Sequence, residues 1–157
     1  MGRATTRYEG RKRGYAGQEF TGKQSRMREP DFDVDGWCLD DGEEYHREAP
    51  ETFWIPSKAA REGLYPGDLA KLIFRIDVGG EDKQVAVERM WVLVRERIPN
   101  GYLGILDNNP HAIEENDELW SGIELPFSAR HVIDIDTANE KTITIAAEEP
   151  RRRWPIR

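Results

Sequence analysis

Ala70, Leu72, Phe74, Ile76 and Val78 alternate with Lys71, Arg75 and Asp77. This is the period-two pattern of a half-buried strand, whose successive side chains leave the backbone on opposite faces. Gly79-Gly80 closes the strand, and Glu81-Asp82-Lys83 supplies a polar hairpin loop. The return segment, 85–98, is apolar on both faces in its middle. One face reads Ala86, Met90, Val92, Val94 and Ile98, with Glu88 interrupting, and the other sets Trp91 and Leu93 between Arg89, Arg95 and Arg97. Pro99-Asn100-Gly101 turns the chain, and residues 102–106 form a third strand ended by Asp107-Asn108-Asn109-Pro110. Ile123, Leu125 and Phe127 share one parity, as do Ile133 and Ile135, and then Ile143 and Ile145. These predict two or three further strands.

Upstream, Thr52-Phe53-Trp54-Ile55-Pro56 reads as a short strand. Ser57 is an N-cap for a brief helix over 58–62, which Gly63 ends, and Tyr65-Pro66-Gly67-Asp68 is turn chemistry. Five to seven short, hairpin-connected strands with one short helix predict a mainly β fold (α+β with a minor helix), an antiparallel sheet curled into a small barrel or open roll. The chain shows no internal repeat and no βαβ alternation.

The chain has 157 residues, with 38% hydrophobic and 34% charged positions. That length suits one domain, and the low apolar share predicts that part of the chain stays outside the core. Residues 1–30 contain five glycines and almost no aliphatic side chain, so they are expected to form a disordered basic arm. The β-rich domain is expected over 31–148, with 149–157 as a basic C-terminal tail carrying Arg151, Arg152, Arg153 and Arg157. Within the domain, 31–51 is acidic but anchored by Phe32, Trp37, Leu39 and Tyr45, and it reads as loop with a short helical turn lying across the domain. The net charge of −7 conceals a segregation. Residues 1–28 hold eight basic side chains against Glu9 and Glu19, which leaves −13 on the remainder.

A single cysteine, Cys38, excludes an internal disulfide and a cysteine-based zinc site. No apolar run approaches the ~18–20 residues of a membrane span, and the first residues carry no apolar stretch of a signal peptide. A cytoplasmic, reducing setting without membrane contact is the expectation. No cofactor or metal is called for. Asp31-Phe32-Asp33-Val34-Asp35-Gly36 opens like a calcium loop, but position twelve is Gly42 where a bidentate carboxylate belongs, so an acidic surface loop is the simpler reading.

His46, His111 and His131 are too scattered for a metal site, and His131 shares the parity of Ile133 and Ile135, which points it inward. Glu88 is directed at an apolar face. It is either an acid–base group with a raised pKa or a structural carboxylate turned outward or paired to Arg89 or Arg75. Trp91 among Arg89, Arg95 and Arg97 is either a binding surface for bases or a protein, or an outer face covered by the acids of 31–51. Arg11, Lys12 and Arg13 are the densest cations of the arm and mark the candidate contact for nucleic acid or an acidic surface.

Three stretches carry a resemblance: Glu88-Arg89-Met90-Trp91-Val92, Gly104-Ile105-Leu106-Asp107-Asn108-Asn109-Pro110, and Arg130-His131-Val132-Ile133-Asp134. With Thr52-Phe53-Trp54-Ile55-Pro56 and Pro66-Gly67-Asp68, they resemble the YegJ-like family of bacterial domains of unknown function, over roughly residues 36–136. The resemblance implies a bacterial or phage source and a small β-rich domain, and it assigns no catalytic residue. The expected function is a non-enzymatic accessory module, inhibitor-like or a DNA mimic, that binds another protein. The alternatives are weak, non-specific nucleic-acid contact through the basic arm, or a small hydrolase-like enzyme using Glu88 or His131.

Overall fold

The computed structural model describes residues 27–82 and 84–155. The arm expected over 1–30 therefore lies almost wholly outside the described residues, Arg11, Lys12 and Arg13 included. The described chain forms a mainly antiparallel, curled sheet with short helices around it. In chain order the elements are α1 (Phe32–Asp35), β1 (Trp37–Leu39), α2 (Gly42–Glu48), α3 (Lys58–Glu62), β2 (Leu69–Asp77), β3 (Val85–Ile98), β4 (Gly101–Leu106), β5 (Glu124–Phe127), β6 (Asp134–Asp136) and α4 (Glu140–Ala147). A 3₁₀ turn, Ala129–His131, precedes β6. No helix among the described residues is long and apolar enough to cross a membrane.

The sheet runs β1-β2-β3-β4-β5, and β6 pairs with the other half of β2's outer side. β1 takes residues 74–76 of β2, and β6 takes residues 69–71. The β2 and β3 strands match in unbroken register from Leu69↔Leu93 to Asp77↔Val85. The β4 strand pairs with β3 only from Val92 onward, so the first half of β3 extends past it. The β3–β4 turn is tight, with Ile98 opposite Gly101 and Asn100 at φ 66. Asn tolerates that left-handed geometry better than other side-chain-bearing residues.

The inner face of the sheet carries Ala70, Leu72, Phe74 and Ile76 of β2, Met90, Val92 and Val94 of β3, and Leu125 and Phe127 of β5 in one core cluster. Gly104 lets side chains of both neighbouring strands meet over β4. A Cβ on it would lie 2.5 Å from Val92 Cγ1 and 3.0 Å from Phe127 Cε1, closer than packed carbons tolerate. A smaller cluster of Ile55, Ile73 and Ile133 sits on the outer face under Tyr45 and Phe53.

Several expectations are corrected. Residues 52–56 are irregular chain, not a strand. Ile143 and Ile145 belong to α4, where Asn139 caps the helix and Thr142 returns a bond to the Asn139 N–H. Such a reciprocal cap commits the chain to a helix before parity matters. The segment 31–51, expected as loop with one helical turn, carries β1 at the sheet edge and two helices, the second of which lays Tyr45 over the outer-face cluster. Residues 149–155 are not a free tail. Arg152 forms a parallel bridge with Ile123, and Trp154, 5% exposed, enters the core against Trp37 at 5.8 Å.

The two ends of the described chain also meet. The Trp154 indole N–H donates to the Arg28 carbonyl at 2.9 Å, and the Arg28 guanidinium stacks over its ring at 4.6 Å. Arg28 is itself forked onto Asp35 at 2.7 Å. Ending the chain after Glu149 removes this buried indole, so it is expected to cost about 3–5 kcal/mol. Chemical denaturation of the shortened protein checks this, and an unchanged midpoint would show that Trp154 does not hold the core.

Candidate functional site

The outer face of the hairpin formed by β2 and β3 is where the sequence-predicted binding residues can be located. Odd positions of β3 before the bulge point to this face, which Arg89, Trp91 and Leu93 therefore share with Lys71 and Ile73 of β2. Trp91 is half-buried, with the Lys71 ammonium 5.3 Å over its ring. The exposed Arg89 lays its guanidinium 5.4 Å over Phe53.

Phe53 is fixed from several sides. Its ring lies 5.2 Å from Tyr45, its carbonyl accepts from His46 Nδ1 at 2.7 Å, and its N–H donates to Ala49. Ile55 is buried two residues on. With 53 and 55 held inward, Trp54 projects outward, and 69% of its surface is exposed. Trp54 is the functional candidate that the sequence reading missed. The signal was three consecutive bulky apolar residues, Phe53-Trp54-Ile55, of which an extended chain can bury only alternate ones.

The four β3 residues expected on one face do not stay together. The register shifts between Val94 and Glu96, and such a bulge reverses the parity that follows it. Arg95 remains on the outer face, paired at 3.1 Å to Glu124, which is 3% exposed, and α4 packs beside it with the Glu148 carbonyl accepting from Arg95 Nε. Arg97 is carried to the inner face. It stacks over Tyr65 at 5.2 Å and Tyr102 at 5.9 Å, and donates to the Leu64 carbonyl. Arg89 and Trp91 therefore belong to an open surface, whereas Arg95 and Arg97 are built into the scaffold.

Three acids of 31–51 are held by other cations. Asp40 is bound by Arg75 at 2.8 Å, Glu43 by Arg61 at 2.6 Å, and Asp35 by Arg28. Burial alone would raise the Asp40 carboxyl, but hydrogen bonds from Arg75 and Tyr45 hold it below its ordinary value. Beyond Phe53 lies an open groove of about 610 Å³ whose lining includes Asp40, Asp41, Glu44 and Glu48. Phe53, beside Trp54, thus meets the Arg89 cation on one side and the acidic groove on the other.

The calcium-like segment is spent on helix capping. Asp31 accepts the N–H groups of Asp33 and Val34, and Gly36 ends α1 in the left-handed region. No cluster of potential metal ligands occurs among the described residues. Burial raises the pKa of the Cys38 thiol, which disfavours a thiolate nucleophile.

Glu88 and His131, the two catalytic alternatives, both have structural duties. The Glu88 carboxylate accepts the main-chain N–H groups of His111 and Ala112 at 2.8 Å each, fixing the loop after β4. His131 is 2% exposed, and its Nδ1 accepts the Ser128 N–H at 3.0 Å across the 3₁₀ turn. Ser128 Oγ lies 3.3 Å from the same nitrogen and the Glu29 carboxylate 3.6 Å from Nε2, an outline of a serine–histidine–acid set. The Nδ1 lone pair is already engaged by a main-chain donor, and burial together with the Arg130 charge lowers the imidazole pKa to about 4. A base so weak and so occupied is a cap.

Comparison with protein-family models, curated proteins and solved structures finds no match to this chain.

The His131 shift has a measurable consequence. In the unfolded chain the imidazole takes a proton near its ordinary value of 6.5, while the folded one resists until about 4. The unfolded state therefore binds more protons in that window, and stability, complete above 6.5, declines as pH falls toward 4, by about 3 kcal/mol in all. Denaturation curves at pH 7 and 4.5 are expected to show this loss in the native protein and a much smaller one in His131→Gln. Equal losses in both would remove His131 as the cause.

Proposed function

We propose that this chain is a non-enzymatic protein-binding module whose contact surface centres on Trp54, flanked by Arg89, Lys71 and Trp91. The observation that carries the reading is a tryptophan with 69% of its surface exposed, set between half-buried Phe53 and buried Ile55. Tryptophan and arginine are also the side chains that most often dominate protein interfaces when desolvated at their centre. The acidic groove beside Phe53 favours a protein partner over a polyphosphate, because a nucleic-acid backbone would be drawn by Arg89 and repelled by Asp41, Glu44 and Glu48.

The charge segregation favours one second reading, weak and sequence-independent nucleic-acid contact through the arm that contains Arg11, Lys12 and Arg13. Met27 and Arg28 pack into the folded body, so a deletion that tests the arm must stop at Arg26.

The expected outcome separates the two. Protein lacking residues 1–26 retains the same host proteins as the full chain, whereas Trp54→Ala with Arg89→Glu loses them by about tenfold or more, with the melting temperature unchanged. Quantitative capture from a bacterial lysate by the three immobilised proteins makes the comparison. Retention that follows the arm deletion instead, or duplex binding that vanishes with it, would favour the second reading. Identical retention by the Trp54→Ala, Arg89→Glu protein would remove this surface as the contact.

A further inference from the structure

The groove beyond Phe53 carries more negative charge than its own surroundings balance. Asp40, Asp41, Glu44 and Glu48 line its volume of about 610 Å³, and Arg75 is the one cation in the lining. Arg75 is bound to Asp40 at 2.8 Å, and the Arg130 guanidinium approaches Asp41 at 3.6 Å. Glu44 and Glu48 are exposed, one turn apart on α2, and no cation pairs with them among the described residues. Like charges so spaced on a helix repel each other. The Tyr45 and Phe53 rings, 5.2 Å apart, give the same groove an aromatic wall. A lysine or arginine stem lies well on such a surface, with its charge near the ring faces.

The described chain begins close to this groove. Met27 and Glu29 line a second trough, of about 330 Å³, between the β3–β4 turn and Ser128, and Arg130 stands in its wall. One nitrogen of the Arg130 guanidinium holds the Glu29 carboxylate at 2.8 Å, and the other faces Asp41. The root of residues 1–26 is therefore one guanidinium away from the acidic lining. Those residues contain seven cations against Glu9 and Glu19.

We propose that this groove is the docking site of the chain's own basic arm, with Arg11, Lys12 and Arg13 seated against Glu44, Glu48 and the Tyr45 ring. Three adjoining cations meet a lining whose own cation is already committed to Asp40. Fourteen residue steps separate Arg13 from Met27. A coil of that length spans about 20 Å on average, enough to pass Arg130 and turn into the groove. The tether also sets an effective concentration in the millimolar range, so a contact too weak to hold a separate molecule suffices.

Trp54 is not part of the lining, so the docked arm leaves the proposed partner surface free. The same cations are withheld from a polyanion while they occupy the groove, which sets docking of the arm in competition with nucleic-acid contact through it.

A water-soluble carbodiimide, which joins a lysine amine to a carboxylate in contact with it, reads this contact in the intact chain. Peptide mapping by mass spectrometry is expected to find Lys12 joined to Glu44 or Glu48, with a yield independent of protein concentration. The yield is expected to collapse in about 0.5 M salt, where exposed charges are screened within a few ångströms. Arg11→Glu with Arg13→Glu keeps Lys12 but reverses its neighbours, and is expected to lower the yield about tenfold at an unchanged melting temperature. In the amide NMR spectrum of that variant, changes beyond the arm are expected over 40–53, with β4 unmoved. Lys12 joined chiefly to carboxylates outside the groove, or no cross-link from the arm at all, overturns the proposal. A yield that rises with concentration, as when the arm enters the groove of another copy, overturns it too, as does a variant spectrum that changes only within the arm.

Discussion

The continuous register between β2 and β3 is the constraint on which the rest of this molecule depends. Nine consecutive residue pairs fix which β3 side chains face the core and which face outward, without a slip. A slip of one would send Met90, Val92 and Val94 of β3 to the face opposite Phe74 and Leu72, so burial of the inner face protects the register. Because β3 is longer than β2 and β4 reaches only its second half, the ladder with β2 sets the outward face that Arg89 and Trp91 share. The bulge past Val94 then divides the strand's cations, leaving Arg89 outside and turning Arg97 in toward Tyr65 and Tyr102.

Buried polar groups hold the loops to this hairpin. Arg61, 5% exposed, donates to the carbonyls of Pro56 and Ala129 and to Glu43, tying the chain after Trp54 to the 3₁₀ turn. Asp68, 1% exposed, accepts from the N–H groups of Tyr65 and Ala138. Glu124 accepts from Arg95 and from the Trp154 N–H. A buried ion is costly unless every lone pair and donor is used, and these groups are supplied by distant segments. Removing one partner would strand the other, which makes loop position, and with it the projection of Trp54, a property of the whole fold.

What the sequence disclosed follows from how local each signal is. The alternation of β2, the Pro99-Asn100-Gly101 turn and the α3 helix between Ser57 and Gly63 were legible because neighbouring residues determine them. The helix at 140–147 was misread because Ile143 and Ile145 mimic a strand, while the Asn139–Thr142 cap decides the matter. The bulge in β3 leaves no mark in the residue types, so Arg97 could not be separated from Arg89 by pattern alone. Trp154 was hidden in a run of arginines, and its burial depends on Trp37 and Arg28, more than a hundred residues earlier. For the candidate site, Arg89 and Trp91 were found on composition. Trp54 emerged only once the fixation of Phe53 and Ile55 was visible.

Amide hydrogen exchange along β3, followed residue by residue in dilute protein, tests the account most directly. The register predicts alternation. Ile73 and Lys71 of β2 bond away from β3, to Asp40 and Ile133, so the odd residues of β3 face away from β2 in turn. Ala86, Glu88 and Met90, whose N–H groups face β2, exchange slowly, while Val85, Val87 and Arg89 exchange faster. Uniformly slow exchange across 85–90, or alternation of the opposite phase, would contradict the register and with it the outward placement of Arg89 and Trp91.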